Sequence, residues 1–369
     1  MSEPTSSGAV LIACGGTGGH LFPGIAIAEK LKARGIDVIL LISEKQIDTV
    51  ASKGYADRFR FERIPSVAMP KPWSPKMIPF LLNLRAAISK SRKLIREIGA
   101  THVIGMGGFT STAPLIAAKK EGCVGLIHES NAIPGRANRL NAKIATWALV
   151  GWDACAKHFP EGKAKVVGTP VRSSLYDLPD KAIARQHFGL NSGRFTLFVM
   201  GGSQGARGIN EAVTGMLEYF DPELCQFLHI AGATDIEVVQ EAYKSANVTA
   251  HVIPFLSEME WAYAASDLIV CRSGASSLTE MSVVGLPGIL VPYPHAADDH
   301  QNRNADIFEE EGACMVIQQA DLKPLELAEI VASLGNDPNR LQQMSEKIRS
   351  LAPQNPADAI CDLIENQTP

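Results

Sequence analysis

The sequence contains no apolar run approaching the roughly 18 residues that would cross a bilayer, no Cys-x-x-Cys pair and no excess of basic residues. The first absence excludes a membrane-spanning helix, so the chain is expected to be soluble or bound to a membrane surface. The second excludes thioredoxin-like redox and zinc-ribbon motifs. Its seven cysteines (Cys14, Cys123, Cys155, Cys225, Cys271, Cys314 and Cys361) are scattered and read as reduced thiols in a cytoplasm. The third, 35 Lys+Arg against 39 Asp+Glu for a net charge of −4, leaves no global field for nucleic acid, and no nucleic-acid partner is expected. Met1 to Gly8 lacks the cationic and apolar regions of a signal peptide, so export by that route is not expected.

Phosphate motifs are missing as well. The dinucleotide pattern G-x-G-x-x-G fails at Leu21 when counted from Gly16, and at Thr110 when counted from Gly105, which disfavours a nicotinamide enzyme. There is no G-x-x-x-x-G-K-[ST], which disfavours a P-loop hydrolase, and no Asp-x-Asp of the kind that holds a metal-bound diphosphate in many sugar transferases. What remains is a 369-residue chain, 46% hydrophobic and 20% charged, of globular composition and long enough for two domains.

Short β-rich runs alternate with helical stretches: Val10–Ala13, Ile25–Ala33 and Val38–Ile42, then Val103–Ile104, Ala113–Lys120 and Val124–Ile127. A second series runs Phe195–Met200, Ile209–Tyr219, Gln226–Ile230, Ile236–Lys244, Leu268–Cys271, Ser277–Val284 and Gly288–Val291. The rhythm predicts two α/β units of parallel strands with covering helices. Their junction is expected near residues 168–192, with domains over 8–171 and 172–350 and a tail helix over 351–369 that docks back on one of them. A cleft between the two sheets is expected at the junction.

Three glycine clusters follow strand-like runs and precede helices: Gly15-Gly-Thr-Gly-Gly19, Gly105-Met-Gly-Gly-Phe109 and Gly201-Gly-Ser-Gln-Gly-Ala206. Glycine lets the backbone approach a ligand, and the N–H groups and dipole of a helix N-terminus favour an anion, so phosphate is the natural guest. His20 follows the first cluster, near a helix start at Pro23, where a neutral imidazole can act as a base or simply pack locally. His128-Glu129-Ser-Asn131 ends a strand, where open α/β sheets bind ligands. Glu280, in the first turns of a helix, can accept two ribose hydroxyls or complement the dipole. His295 to Gln301 could hold a metal on composition, but the spacing fits no ligand pattern, and no metal site is expected. The third cluster also spells G-x-S-x-G with Asp267 and His295 or His300 downstream, so a serine hydrolase at Ser203 stays open on these grounds.

Taken together, Gly15–His20 with Phe22-Pro-Gly24, Gly105–Phe109, His128-Glu129 with Asn131, Gly168-Thr-Pro-Val-Arg172, Gly201–Ala206, Arg272–Ala275 with Glu280, and Asp299-His-Gln301 with Asn304-Ala305 resemble the MurG family of bacterial N-acetylglucosaminyltransferases. The resemblance implies the GT-B architecture, two Rossmann-like domains facing across a cleft. It also implies inverting, metal-independent transfer without a cofactor from UDP-N-acetylglucosamine to the C4 hydroxyl of undecaprenyl-linked lipid I, giving lipid II for peptidoglycan. The first domain would then face acceptor and membrane, and the second would bind the UDP-sugar.

Carried onto this sequence, the resemblance assigns Gly202, Ser203 and the adjacent amides to the diphosphate, with Arg172 and the helix start at Ala275 offsetting its charge. Glu280 would hold the ribose, the Leu256 backbone the uracil, and His300 and Gln301 the sugar, with Asn131 and Thr17, Gly18 and Gly19 approaching from the other domain. His20 is the expected base, with Glu129 and His128 behind it. The chain departs from the family pattern at Ser130, where Gln is frequent, and in a longer segment from Pro294 to His300. Met69 to Leu84 interleaves Trp73, Met77, Ile78, Phe80, Leu81 and Leu82 with Lys71, Lys76 and Arg85, which suits docking on an anionic membrane at its cytoplasmic face. Leu81, Leu84, Ile88, Ile95 and Ile98 fall on a helical stripe expected to face the core. Two rivals share the fold or the ligand: a UDP-sugar epimerase and a non-catalytic nucleotide-sugar sensor.

Overall fold

The computed structural model describes residues 8–44, 53–65, 70, 73–202 and 205–366. In chain order the first elements are β1 (Ala9–Ala13), α1 (Gly18–Ala33), β2 (Val38–Ser43), β3 (Arg60–Ile64), α2 (Met77–Ile98), β4 (Ala100–Gly105), α3 (Thr112–Glu121), β5 (Val124–Glu129), α4 (Arg136–Asn141), β6 (Trp147–Val150), α5 (Asp153–Ala156) and β7 (Ala164–Val166). Then follow α6 (Lys181–His187), β8 (Thr196–Met200), α7 (Arg207–Met216), β9 (Gln226–Ile230), α8 (Ile236–Ser245), β10 (Ala250–Ile253), α9 (Met259–Ala265), β11 (Leu268–Cys271), α10 (Ala275–Val284), β12 (Gly288–Leu290), α11 (His300–Glu310), β13 (Cys314–Val316), α12 (Pro324–Gly335), α13 (Pro338–Ser350) and α14 (Pro356–Glu365).

The strands form two parallel sheets, ordered β3-β2-β1-β4-β5-β6-β7 and β10-β9-β8-β11-β12-β13. One compact unit comprises Met1–Arg172 with Pro353–Pro369, the other Ser173–Ala352. Parallel central strands are covered on both faces, which is why β1 reads Ala-Val-Leu-Ile-Ala without polar alternation and is buried throughout. Val10 and Ile12 pack toward α1, whereas Leu11 and Ala13 enter the cluster containing Leu94 and Leu115.

Strand order reverses between β1 and β4 in the first sheet and between β8 and β11 in the second. The register pairs Ala13 with Gly105 and Met200 with Cys271, so the loops leaving each pair emerge side by side. Open α/β sheets take ligands at this reversal, beyond the carboxyl ends of the strands.

Two expectations need correction. Helix α1 begins at Gly18, and Pro23 lies inside it as a buried residue that cannot donate to the carbonyl four positions back. Packing of Leu21 and Ile25 holds the turn through the proline. On α2, Leu84 and Ile88 pack inward and Ile95 is buried, but Leu81 is 54% exposed and lies off the core stripe.

Helix α14 returns to the first unit and lies on α1. Ile360, Cys361 and Ile364 enter the cluster of Ile12, Ile25 and Leu31, while Arg34 meets Asp358, Asp362 and Glu365 at 3.0, 2.6 and 2.7 Å. The apolar contact should dominate, because removing a buried isoleucine side chain costs about 2–5 kcal/mol and an exposed ion pair contributes about 1 kcal/mol or less. Chemical denaturation of Ile360→Ala and Arg34→Ala is expected to show the larger loss for Ile360→Ala; a larger loss for Arg34→Ala would reverse that ranking.

Candidate active site

In the first unit, the loops after β1 and β4 meet around one imidazole. His20 is the third residue of α1, and its Nδ1 lies 3.3 Å from Thr17 Oγ1. The ring rests on the second glycine loop: a Cβ at Gly107 would stand 2.6 Å from His20 Nε2, and one at Gly108 3.4 Å from Cε1. Both glycines have positive φ, +123° and +66°, so conformation and contact each exclude a side chain there. Buried Ser111 secures the loop, accepting from Gly107 N–H and donating to Gly107 C=O at 2.7 Å. Ser111 is not legible in the sequence, because a serine one turn beyond a glycine loop carries no signal of its own.

The His-Glu-Ser-Asn segment is built as a scaffold. Glu129, 5% exposed, receives Asn131 N–H and Asn131 Nδ2 on Oε1 and Gly135 N–H and Asn138 Nδ2 on Oε2, all within 3.1 Å. Its lone pairs are spent shaping the loop after β5. His128 is fully buried, and desolvation lowers its basicity, so the ring is neutral. Nε2 donates to the Gly168 carbonyl at 2.9 Å, and Ser130 Oγ approaches Nδ1 at 3.4 Å. Gly168, at φ +82°, leaves room for Pro353, which a Cβ would meet at 2.3 Å. Arg172 is buried with its guanidinium 4.5 Å from the Phe22 ring centroid, on the same unit as His20.

In the second unit, the loop after β8 turns sharply. A Cβ at Gly201 would collide with Ala206 N, and one at Gly205, φ +80°, would stand 2.7 Å from the Ala231 carbonyl. Gly202 is exposed, and the expected diphosphate ligand Ser203 lies outside the described residues. Beside this loop, α10 starts at Ala275 with Gly274 as an extended cap. Glu280 is buried on α10 and accepts from Tyr263 Oη at 2.8 Å; that tyrosine sits on α9, seventeen positions away, and was not visible as a partner in the sequence.

Arg272 is a second residue the sequence reading left without a role. It is buried, donates to the main-chain carbonyls of Val291 and Pro292 at 3.0 and 3.2 Å and to Gln319 Oε1 at 2.6 Å, and has no carboxylate partner among the described residues. Burial lowers its basicity, but a guanidinium stays charged at neutral pH. Gln301 accepts the Tyr293 N–H through Oε1 at 2.8 Å, which leaves Nε2 directed elsewhere. His300 donates from Nδ1 to the Ala297 carbonyl at 2.6 Å, so its Nε2 is an acceptor when the ring is neutral. The longer segment before it is accommodated by left-handed backbone at Asp298 and Asp299. Leu256 lies on the loop that follows β10.

The hydrolase alternative fails on this geometry. Asp267 accepts from Thr196 N–H at 2.7 Å and Lys181 Nζ at 2.8 Å, and it pairs with the buried Arg185 guanidinium. Those contacts put it beside the first residue of β8, whereas the G-x-S-x-G loop follows the last, roughly 13 Å away at the rise of a strand. Among the described residues, no group of three or more His, Cys, Asp or Glu is placed to hold a metal ion.

Residues 10–150 match the glycosyltransferase family 28 N-terminal domain and residues 196–359 the glycosyltransferase family 28 C-terminal domain. The chain belongs to glycosyltransferase family 28. Among family 28 relatives, the UDP-N-acetylglucosamine--N-acetylmuramyl-(pentapeptide) pyrophosphoryl-undecaprenol N-acetylglucosamine transferase of Geobacter sulfurreducens is 37% identical over 361 residues, covering 96% of this chain and 97% of that one. The transferase of the same name from Halothermothrix orenii is 33% identical over 364 residues, covering 95% and 97%. The crystal structure of Acinetobacter baumannii MurG superposes with a TM-score of 0.74 at 26% identity, covering 97% of this chain and 99% of that one. Two Rossmann-like parallel-sheet domains in the GT-B manner are therefore established for this family 28 chain.

The fit of His20 against Gly107 generates a prediction. Gly107→Ala introduces a methyl group into the ring position, so turnover should fall at least tenfold while the circular dichroism spectrum stays that of the wild type. Retained turnover would show that the imidazole need not sit on this loop.

Proposed function

We propose that this chain transfers N-acetylglucosamine from UDP-N-acetylglucosamine to the C4 hydroxyl of the muramoyl sugar of undecaprenyl-pyrophosphoryl-muramoyl-pentapeptide, converting lipid I to lipid II in peptidoglycan synthesis. The observation that carries it is full-length similarity, at 33–37% identity, to transferases of that one name. That similarity also favours transfer over epimerisation or mere sensing.

In this reading the donor lies on the second unit. Amides of the loop from Gly201 to Ala206, with Ser203, and the N-terminus of α10 at Ala275 meet the diphosphate, and Arg172 and buried Arg272 supply positive charge. Leaving-group charge is then met by oriented N–H groups and fixed cations that need no reorganisation during reaction. Glu280, steadied by Tyr263, takes the ribose, the Leu256 backbone takes uracil, and Gln301 Nε2 and His300 Nε2 meet sugar hydroxyls as donor and acceptor. On the first unit, Thr17, Gly18, Gly19 and Asn131 line the acceptor side. His20, half-buried at the start of α1, removes the C4 hydroxyl proton as the anomeric carbon is attacked in a single displacement. Glu129 and His128 act as positioning residues, since the Glu129 oxygens are taken by the amides of Asn131, Gly135 and Asn138 and His128 Nε2 by the Gly168 carbonyl.

The two halves of this reading separate kinetically. General-base help is worth roughly 10²- to 10⁴-fold, so His20→Ala should lower kcat by that order with UDP affinity nearly unchanged, whereas Glu280→Ala should raise the donor KM. UDP release measured with and without a short-chain lipid I analogue reads both. Acceptor-independent consumption of the donor would point to an epimerase, and an unchanged kcat would remove His20 from the base role.

The acceptor's lipid requires a membrane. No helix among the described residues is long and apolar enough to cross one. Contact at the surface is supported by Trp73, Ile78, Leu81 and Leu82, which are 98%, 70%, 54% and 64% exposed. Lys76, Arg85, Lys90 and Lys93 accompany them without a carboxylate partner among the described residues, unlike Arg92 and Arg96, which share Glu121. Met69 and Lys71 lie outside the described residues. Apolar side chains ringed by unpaired cations suit the anionic inner leaflet. Co-sedimentation with anionic vesicles at low salt is the expected result, lost in Ile78→Ser/Leu82→Ser; binding equal to wild type in that variant would place the contact elsewhere.

A further inference from the structure

The second unit buries a chain of polar groups beside Gly205 and Ala206. His229, on β9, is fully buried, with Nδ1 3.0 Å from Tyr243 Oη on α8 and Nε2 3.0 Å from Asn210 Oδ1 on α7. Asn210 Nδ2 donates to the Ala231 carbonyl and to Asp235 Oδ2, both at 2.9 Å. The direction of every bond is set by this arrangement. Because the Asn210 amide nitrogen faces two acceptors, its oxygen faces His229; His229 therefore carries its proton on Nε2 and accepts Tyr243 O–H at Nδ1. Burial pushes His229 down to about 3, so the ring stays neutral.

The chain of bonds ends at the Ala231 carbonyl, against which the glycine loop packs. The Ala231 carbonyl that Asn210 holds is the group against which Gly205 rests, 2.7 Å from where a Cβ would be. The Asn210 backbone N–H also donates to Ala206 C=O at 2.9 Å. Asn210 therefore holds the end of the loop through its backbone, and the segment between β9 and α8 through its side chain. Amides that bind an anion must be held in place before it arrives, and misplacement is read as lost affinity.

We propose that Asn210, oriented by His229 and Tyr243, is a positioning residue that sets the Gly205–Ala206 end of the loop for the donor diphosphate. This rests on the donor reading above. It extends that reading to three side chains that touch no substrate.

The test is calorimetry with UDP, together with donor kinetics, on full-length Asn210→Asp, Asp235→Asn and the double variant. Asn210→Asp replaces the donor to Ala231 with a carboxylate facing Asp235, and the folded variant is expected to bind UDP at least about tenfold more weakly, with a matching rise in donor KM and kcat within about threefold of wild type. In the double variant the amide introduced at 235 can donate to the carboxylate introduced at 210, which removes that repulsion but leaves the Ala231 carbonyl without its donor, so only part of the affinity should return. Unchanged UDP affinity in folded Asn210→Asp, or wild-type affinity in the double variant, overturns the proposal. Should Asn210→Asp not fold, Tyr243→Phe removes only the hydroxyl that orients His229 and is expected to weaken UDP binding roughly threefold; unchanged affinity there overturns it as well. A wild-type protein that binds no UDP would strike the donor reading first, and this proposal with it.

Discussion

A methyl group is what the first unit cannot accommodate at position 107. The parallel register that sets Ala13 opposite Gly105 brings the loops after β1 and β4 together, and the space between them is filled by the His20 ring against bare backbone. The catalytic candidate is thus placed by sheet register, by a helix that starts at Gly18 and by two residues that lack side chains. The second unit repeats the device at Gly205, where the backbone approaches the Ala231 carbonyl. Glycine here serves a close approach between main-chain segments, and the exposed amides at the loop tips are a result of that approach.

The polar groups around these loops divide by burial. Unmet polar groups inside a protein cost about 1–3 kcal/mol each, so those that are buried are expected to hold one another. Glu129 gathers four donors, and Asp267 gathers Lys181, Arg185 and Thr196 N–H. Arg272 is held differently. Its donors go to two main-chain carbonyls and an amide, and among the described residues no carboxylate cancels its charge. A buried cation arranged in this way favours an anion nearby, and it lies at the start of the loop that leads into α10.

The two α/β series and the three glycine loops were legible in the sequence because central parallel strands are apolar on both faces and end at glycine. Edge strands were not. β3 buries only Ile64, and its Arg-Phe-Glu-Arg spelling does not differ from a surface loop. The start of α1 was misplaced because proline favours a first turn, whereas Pro23 is buried deeper in the helix and held by its neighbours. Partners such as Tyr263 for Glu280 and Asn210 for His229 join residues of separate elements. Spacing along one chain carries no trace of such pairings, since topology alone brings them within reach.

His20 and His128 show why motif spelling cannot assign chemical roles. Both follow strand ends or loops that bind ligands in this fold class, and both titrate near neutrality as free side chains. In His128, Nε2 is spent on Gly168, the ring has no solvent contact, and desolvation opposes the charged form that a base must pass through. Taking a second proton would add a buried charge beside a serine hydroxyl, its other near neighbour. His20 keeps partial exposure, with Nδ1 3.3 Å from the Thr17 hydroxyl, at the N-terminal end of a helix, whose dipole favours an incoming anion. The same side chain thus serves as scaffold in one place and as candidate base in the other, and access to solvent and substrate is the variable that separates them.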